Sequence, residues 1–285
     1  MSIGSILLFD AVHIPYGCSV WPSLFTQGQN WPAQGEMDIV ENVNNATMNQ
    51  YSLHTGNLCD QATSAESNQT GITTNSNCTV DLASDEDTGC IVRETQPNTF
   101  GAGFSENGGG VYAALWDDSG IAMWFFNRSS IPTDISSSVP DPSSWPTPSA
   151  WYPASGCSPT SAFGPQIITL YIDICGAFAG NQAIFQETCS SVASECTDLV
   201  QTASNYNDAY FEINYLKVFS TGNGTTSTGS SSTPGDVGSS STPEAPATSS
   251  TENSSSVPTN SAATFSFSLH NVLLMFLVAC LGLLQ

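Results

Sequence analysis

The sequence predicts an all-β sandwich followed by an unstructured stalk, and three observations carry that expectation. Only 10% of the 285 residues are charged while 40% are hydrophobic and 10% aromatic, so most of the chain can bury a core. Its polar positions are mostly Ser, Thr, Asn and Gly rather than the strong helix formers. Between residues 1 and 220 the apolar runs are short and broken by turn residues, which is the text of strands.

The expected strands fall at 5–12, 36–43, 49–54, 110–116, 121–127, 166–174 and 209–219. Residues 111–126 read as a β-hairpin closed at Asp117-Asp118-Ser119-Gly120, with Trp116 and Trp124 reaching one common surface. Segments 101–110 and 140–159 read as loops, and only 186–203 could host a helix of any length. No fixed-period repeat is present.

The chain changes character at residue 221. Of the 44 residues from 221 to 264, 23 are Ser or Thr, too polar to offset the entropy of packing, so a disordered stalk is expected. The segment 265–285 ends in an apolar run, 272–284, too short to span a bilayer of about 30 Å comfortably. Small residues at Asn260-Ser261-Ala262, a spacer and a short apolar tail are the layout of a GPI-anchor signal, with Ser254–Ser256 a second site. A short tail-anchoring helix is the alternative. The amino end has no basic patch and only a brief apolar run at 6–9, so it does not read as a secretory leader.

Three Lys and Arg against 25 Asp and Glu give a net charge of −22. Such a chain repels phosphate backbones and lacks a polybasic membrane patch. Nine cysteines stand at 18, 59, 78, 90, 157, 175, 189, 196 and 280, without a CxxC pair. The eight in the 1–220 domain read as disulfides of an oxidising compartment, with Cys189–Cys196 the expected local pair. Sequons at Asn45, Asn68, Asn77, Asn127, Asn223 and Asn253 agree with a secretory route. An extracellular protein at the cell surface or cell wall, held there by the anchor, is the expectation.

The densest chemistry lies at residues 31–41, WPAQGEMDIVE. On a strand, Glu36 and Asp38 share one face, and regular alternation would place Val40 beside them. One extra residue, a β-bulge, would bring Glu41 to that face instead. Two carboxyls about 5–5.5 Å apart are what retaining glycoside hydrolysis needs, one attacking the anomeric carbon and the other serving as acid and then base. An acid between them can separate their pKa values. A solvated acidic edge strand is the plain alternative for the bare pattern. Tryptophans at 21, 31, 116 and 124 tilt the reading toward a glycan cleft, since sugar C–H faces pack on aromatic rings.

With these residues in view, the text resembles glycoside hydrolase family 16, most of all the fungal laminarinase-like endo-1,3(4)-β-glucanases. The resemblance rests on Phe9-Asp10, His13-Ile14-Pro15-Tyr16-Gly17, Trp21-Pro22, Trp31-Pro32-x-x-Gly35-Glu36-x-Asp38-Ile39-x-Glu41 and Leu53-His54-Thr55. It continues through Gly108–Ala113, Trp124–Arg128, Cys175-Gly176 and Ala209–Ile213. It implies a concanavalin A-like jelly roll with Glu36 as nucleophile, Asp38 as assisting acid and Glu41 as acid/base. It also implies a glucan-binding cleft drawing on Trp21, Phe25, Trp31, His54, Trp116 and Phe178. Phe25 and Phe178 stand where the family has tryptophan, and Asn42 where it has glycine, which keeps an apolar platform but loses the indole N–H. Family members carry a longer stretch ahead of the motif, so by the resemblance this domain is N-terminally incomplete, with exposed strand edges. Asp85-Glu86-Asp87 reads as a solvated loop, and His13 as packing beside Tyr16.

The expected function is therefore retaining hydrolysis of β-1,3 or mixed β-1,3/1,4-glucan by a monomer that needs no metal or cofactor. A non-catalytic surface glucan-binding protein and a cell-wall β-glucan transglycosylase are the alternatives. No GxSxG elbow, P-loop or HExxH occurs.

Overall fold

The computed structural model describes residues 1–56, 59–83 and 87–220, together with a two-residue strand at 263–264. Asp85, Glu86, most of the expected stalk and the apolar tail lie outside these residues. The strands are β1 (Ser5–His13), β2 (Val20–Gly28), β3 (Glu36–Glu41), β4 (Gln50–His54), β5 (Ile72–Asn75) and β6 (Cys90–Arg93). They continue as β7 (Gly110–Asp117), β8 (Gly120–Asn127), β9 (Ala150–Pro153), β10 (Gln166–Ile174), β11 (Glu212–Ser220) and β12 (Ala263–Thr264). Three short helices are α1 (Gly101–Glu106), α2 (Gly176–Ala179) and α3 (Gln182–Cys189).

Two six-stranded antiparallel sheets stack as a jelly-roll sandwich, in the orders β12-β11-β1-β7-β8-β9 and β10-β2-β3-β4-β6-β5. The alternation of each strand decides what lies between them. Leu7 and Phe9 from β1, Tyr112 and Ala114 from β7, and Met123 and Phe125 from β8 meet Leu24, Met37, Tyr51, Leu53 and Val92 from the second sheet. Each buried Leu, Val, Phe or Met side chain among these contributes about 1.5–3 kcal/mol. The other face of the first sheet is also covered: Leu8, Val111, Ala113, Trp124 and Phe126 pack beneath Ile135 and Trp145. That leaves the outer face of the second sheet to carry chemistry. At the β10 edge the inter-sheet space is open, since Leu170 and Ile172, on the face of Leu24, are 38% and 40% exposed.

Several expectations need correcting. The expected helix at 186–203 starts earlier, at Gln182 where Asn181 caps it through two backbone N–H groups, and stops at Cys189. The loops expected at 101–110 and 140–159 contain α1 and β9, and β2, β5 and β6 were not expected as strands. Trp116 and Trp124 lie on opposite faces of their sheet. The hairpin turn has two residues, so Trp116 faces Ile121 while Trp124 faces Ala113. Trp116 is 2% exposed in the core, its indole N–H donating to the Pro159 carbonyl, and takes no part in the cleft. Trp124 is sealed against Trp145.

The disulfides are Cys18–Cys189, Cys59–Cys157, Cys78–Cys90 and Cys175–Cys196, so the expected Cys189–Cys196 pair does not form. Cys189, at the end of α3, meets Cys18 ahead of β2, while Cys196 ties the following turn to Cys175; together they clamp α2 and α3 to the second sheet. His13 packs as expected, stacked between Tyr16 and Tyr210. No helix among the described residues is long and apolar enough to cross a membrane.

Candidate active site

β3 lies near the middle of the second sheet, and its outer face carries the acids. Its Met37, Ile39 and Val40 are buried beneath it, and a register shift between Asp38 and Glu41 returns Glu41 to the outer face. The bulge leaves two backbone groups without ladder partners, and one side chain serves both. Asn49 accepts from the Glu41 N–H through Oδ1 at 2.9 Å and donates from Nδ2 to the Ile39 carbonyl at 3.0 Å. Asn49 is 1% exposed, and its own N–H is held by Thr99 Oγ1. Nothing in the sequence pattern signals this residue, because it acts through an amide under the sheet rather than a group in the cleft.

Gly35 places the head of the motif. Its φ is +71°, and a Cβ there would stand 2.3 Å from the Phe163 ring, so only glycine fits between the Trp31 loop and Glu36. Across the ladder Glu36 faces Gln27 on β2 and His54 on β4, and Asp38 faces Phe25 and Ser52. Gln27 Nε2 donates to Glu36 at 3.2 Å, Ser52 Oγ to Asp38 at 2.6 Å, and the Trp21 indole N–H to Glu41 at 2.9 Å. His54 Nε2 lies 3.2 Å from the same Asp38 oxygen that Ser52 holds.

Electrostatics follow from this crowding. Burial, then the Asp38 charge, pushes Glu36 up to about 8, against a smaller favourable pull from His54. Glu41 is pushed up to about 8 by burial and Asp38, while the Trp21 hydrogen bond draws it down. Burial alone would lower His54, but the hydrogen bond and charge of Asp38, with both glutamates, outweigh it and raise it to about 9. Near neutrality the cluster therefore holds a cationic imidazole and retains protons on Glu36 and Glu41.

The acids open into a cleft of about 490 Å³ that Trp21, Trp31, His54 and Phe178 also line. Trp21 is the hub of an aromatic wall, edge-on to Phe178 at 5.7 Å and to Tyr171 at 6.0 Å. Phe25 stands farther along β2, half-buried and edge-on to Tyr171 rather than at the cleft lining. Tyr171 was not singled out in the sequence, although its alternation on β10 could have found it. Asp87, read as loop, stands on the cleft rim. Ligand atoms of Glu36, Asp38 and His54 come within 4.8 Å of one another, so the trio could accept a divalent cation in competition with protons. Cys59, Cys78 and Cys157 also converge, but they are committed to disulfides.

Paired carboxyls of this kind, beside a ring-lined groove, can do general acid/base and nucleophilic chemistry on a sugar chain. The family model described as XgeA-like, catalytic GH16 domain matches residues 2–219. A Schizosaccharomyces pombe protein described as a probable glycosidase is 38% identical over 215 residues, 75% of this chain and 50% of its own length. An endo-1,3(4)-β-glucanase of Arthroderma benhamiae is 36% identical over 225 residues, 78% of this chain and 49% of that protein. The chain thus spans about half the length of these curated relatives. Among solved structures, laminarinase 16A of Phanerochaete chrysosporium with two β-glucans in donor and acceptor sites gives a TM-score of 0.70 at 35% identity, covering 76% of this chain and 72% of that one. An elongating family 16 β-1,3-glucosyltransferase gives 0.67 at 36% identity over the same shares.

Proposed function

The chain belongs to glycoside hydrolase family 16, and on that premise we propose that it is a retaining endo-β-glucanase acting on β-1,3 or mixed β-1,3/1,4-glucan. The observation that carries the reading is the bulge in β3, which puts Glu36, Asp38 and Glu41 on one face at the floor of an aromatic cleft. Glu36 attacks the anomeric carbon while protonated Glu41 gives its proton to the departing glycosidic oxygen. Glu41 then takes a proton from the water that attacks the same carbon and releases Glu36. Glu36 must first lose its proton, which the charge of the neighbouring His54 favours. Burial and the Asp38 charge favour the protonated form of Glu41 that this step needs.

Reducing-sugar release from laminarin and lichenan tests this reading. The unaltered chain should act on one or both, and Glu36→Gln should abolish release while sparing glucan binding. Unchanged release by Glu36→Gln would remove the mechanism. No release by the unaltered chain, with binding retained, would favour a non-catalytic glucan-binding protein. A second reading, transfer of the glycosyl group to a sugar rather than to water, is supported by the likeness to the elongating glucosyltransferase. It predicts products longer than the substrate at high oligosaccharide concentration.

Four disulfides support passage through an oxidising compartment. With the tail composition they lead us to place the protein at the cell surface through a lipid anchor. Release by a phosphatidylinositol-specific phospholipase tests that placement, and retention after treatment counts against it.

A further inference from the structure

The row of side chains through Glu41 continues across the sheet. Glu41 faces Gln50 on β4, Gln50 faces Arg93 on β6, and Arg93 faces Ile72 on β5. Directly opposed residues in an antiparallel ladder share a face, and both Gln50 and Arg93 line the cleft that holds the acids. In the other direction the row reaches Ser23 and then Tyr171, part of the aromatic wall. The two halves of the cleft therefore differ: rings on one side of the acids, an amide and a guanidinium on the other. Strands lie about 4.8 Å apart, so Arg93 stands about 10 Å across the sheet from Glu41, within reach of a neighbouring sugar ring.

Two facts set this pair apart. Gln50 is only 7% exposed, yet its side-chain amide has no hydrogen-bond partner among the described residues. Arg93 is exposed, and among the described residues its guanidinium is in no ion pair and over no ring. The other two cations of the chain are engaged, Arg128 with both oxygens of Asp10 and Lys217 over the Tyr215 ring. Among the described residues of this chain of net charge −22, the Arg93 guanidinium is thus left as an unpaired fork of donors in the cleft. The same net charge repels polyanions, so neutral hydroxyls are the better match.

We propose that Gln50 and Arg93 form a sugar subsite, hydrogen-bonding hydroxyls of a neutral glucosyl unit on the side of the acids away from Trp21 and Phe178. This rests on the glucanase reading above and names which part of the cleft governs chain length. The test compares the unaltered chain with Arg93→Ala, Arg93→Lys and Gln50→Ala on laminaritriose and laminariheptaose. Losing charge-assisted hydrogen bonds should raise KM for the heptaose by about ten- to a hundredfold, with kcat little changed and a smaller rise for the triose. Lysine should recover part of the loss. Equal losses at both lengths, or none at either, would overturn the subsite. A loss confined to carboxymethylated glucan would overturn it in favour of an anionic substituent. If the unaltered chain cleaves neither sugar, the glucanase reading fails separately. Titration calorimetry with laminariheptaose then decides the subsite: weaker binding by Arg93→Ala supports it, and equal binding overturns it.

Discussion

Asn49 holds Glu41 in place through the backbone: its Oδ1 accepts the Glu41 N–H at 2.9 Å while its Nδ2 donates to the Ile39 carbonyl. The amide thus closes the bulge that turns a regular strand, with Val40 outward, into one that presents a third acid. The residue touches no substrate in this account. It is a positioning residue, and the bulge that presents Glu41 rests on it.

Asn49→Ala should therefore leave two buried backbone groups unpaired and lower stability by roughly 2–4 kcal/mol in urea unfolding. Activity should fall with it, through kcat more than KM. Asn49→Asp separates the two contacts, because it keeps an acceptor for Glu41 but loses the donor to Ile39. An Asn49→Ala variant with native kcat would show that the bulge holds its shape without this amide.

Stability should fall as pH rises across the site's titration range. Glu36 and Glu41 move up from 4.5 to about 8, so their protonated forms favour the folded state. That contribution is complete below 4.5 and is lost as pH rises through about 8. His54 moves from 6.5 to about 9, and the stability it adds is complete below 6.5 and lost through about 9. Urea midpoints measured across this range should decline less steeply for Glu41→Gln than for the unaltered chain. Parallel curves would contradict the assignment.

Trp21→Phe keeps a ring in the aromatic wall but removes the N–H that stabilises ionised Glu41. The alkaline limb of the kcat/KM profile, which reports Glu41 as the acid, should move to higher pH. An alkaline limb left in place would mean that another group carries it.

The Cys18–Cys189 bridge closes a separation of 171 residues and holds the end of α3 beside the cleft wall. Replacing both cysteines by serine should cost about 2–4 kcal/mol and weaken glucan binding, since α2 and α3 carry Phe178 and Ile184 into the cleft. Peptide mapping under non-reducing conditions checks the pairing itself. A Cys189–Cys196 peptide would contradict it.

How far the sequence alone reached is clearest at particular residues. The acids of β3 were legible because three carboxyls on an otherwise apolar strand demand a reason, and the spacing demanded a bulge. Trp116 was misread because the shared face of a hairpin depends on the parity of its turn, and a two-residue turn puts it opposite Ile121 in the core. β2 hid behind Pro22 and an outward row that mixes Trp21 and Phe25 with Ser23 and Gln27, so its alternation does not look amphipathic. Asn49, Gln50 and Arg93 were invisible for a shared reason: their roles come from cross-strand neighbours, and linear spacing does not encode which strands pair. The disulfide partner of Cys189 was hidden likewise, being 171 residues away rather than seven.

On the retaining mechanism proposed above, Glu36 becomes covalently bonded to sugar during turnover. A fluorinated laminaribiosyl donor, whose intermediate breaks down slowly, tests it directly when the labelled protein is digested and its peptides are weighed. The account predicts one added glycosyl mass on the peptide containing Glu36, and none on Glu36→Gln. A label on Glu41, or inactivation-free turnover with no label on any peptide, would contradict it.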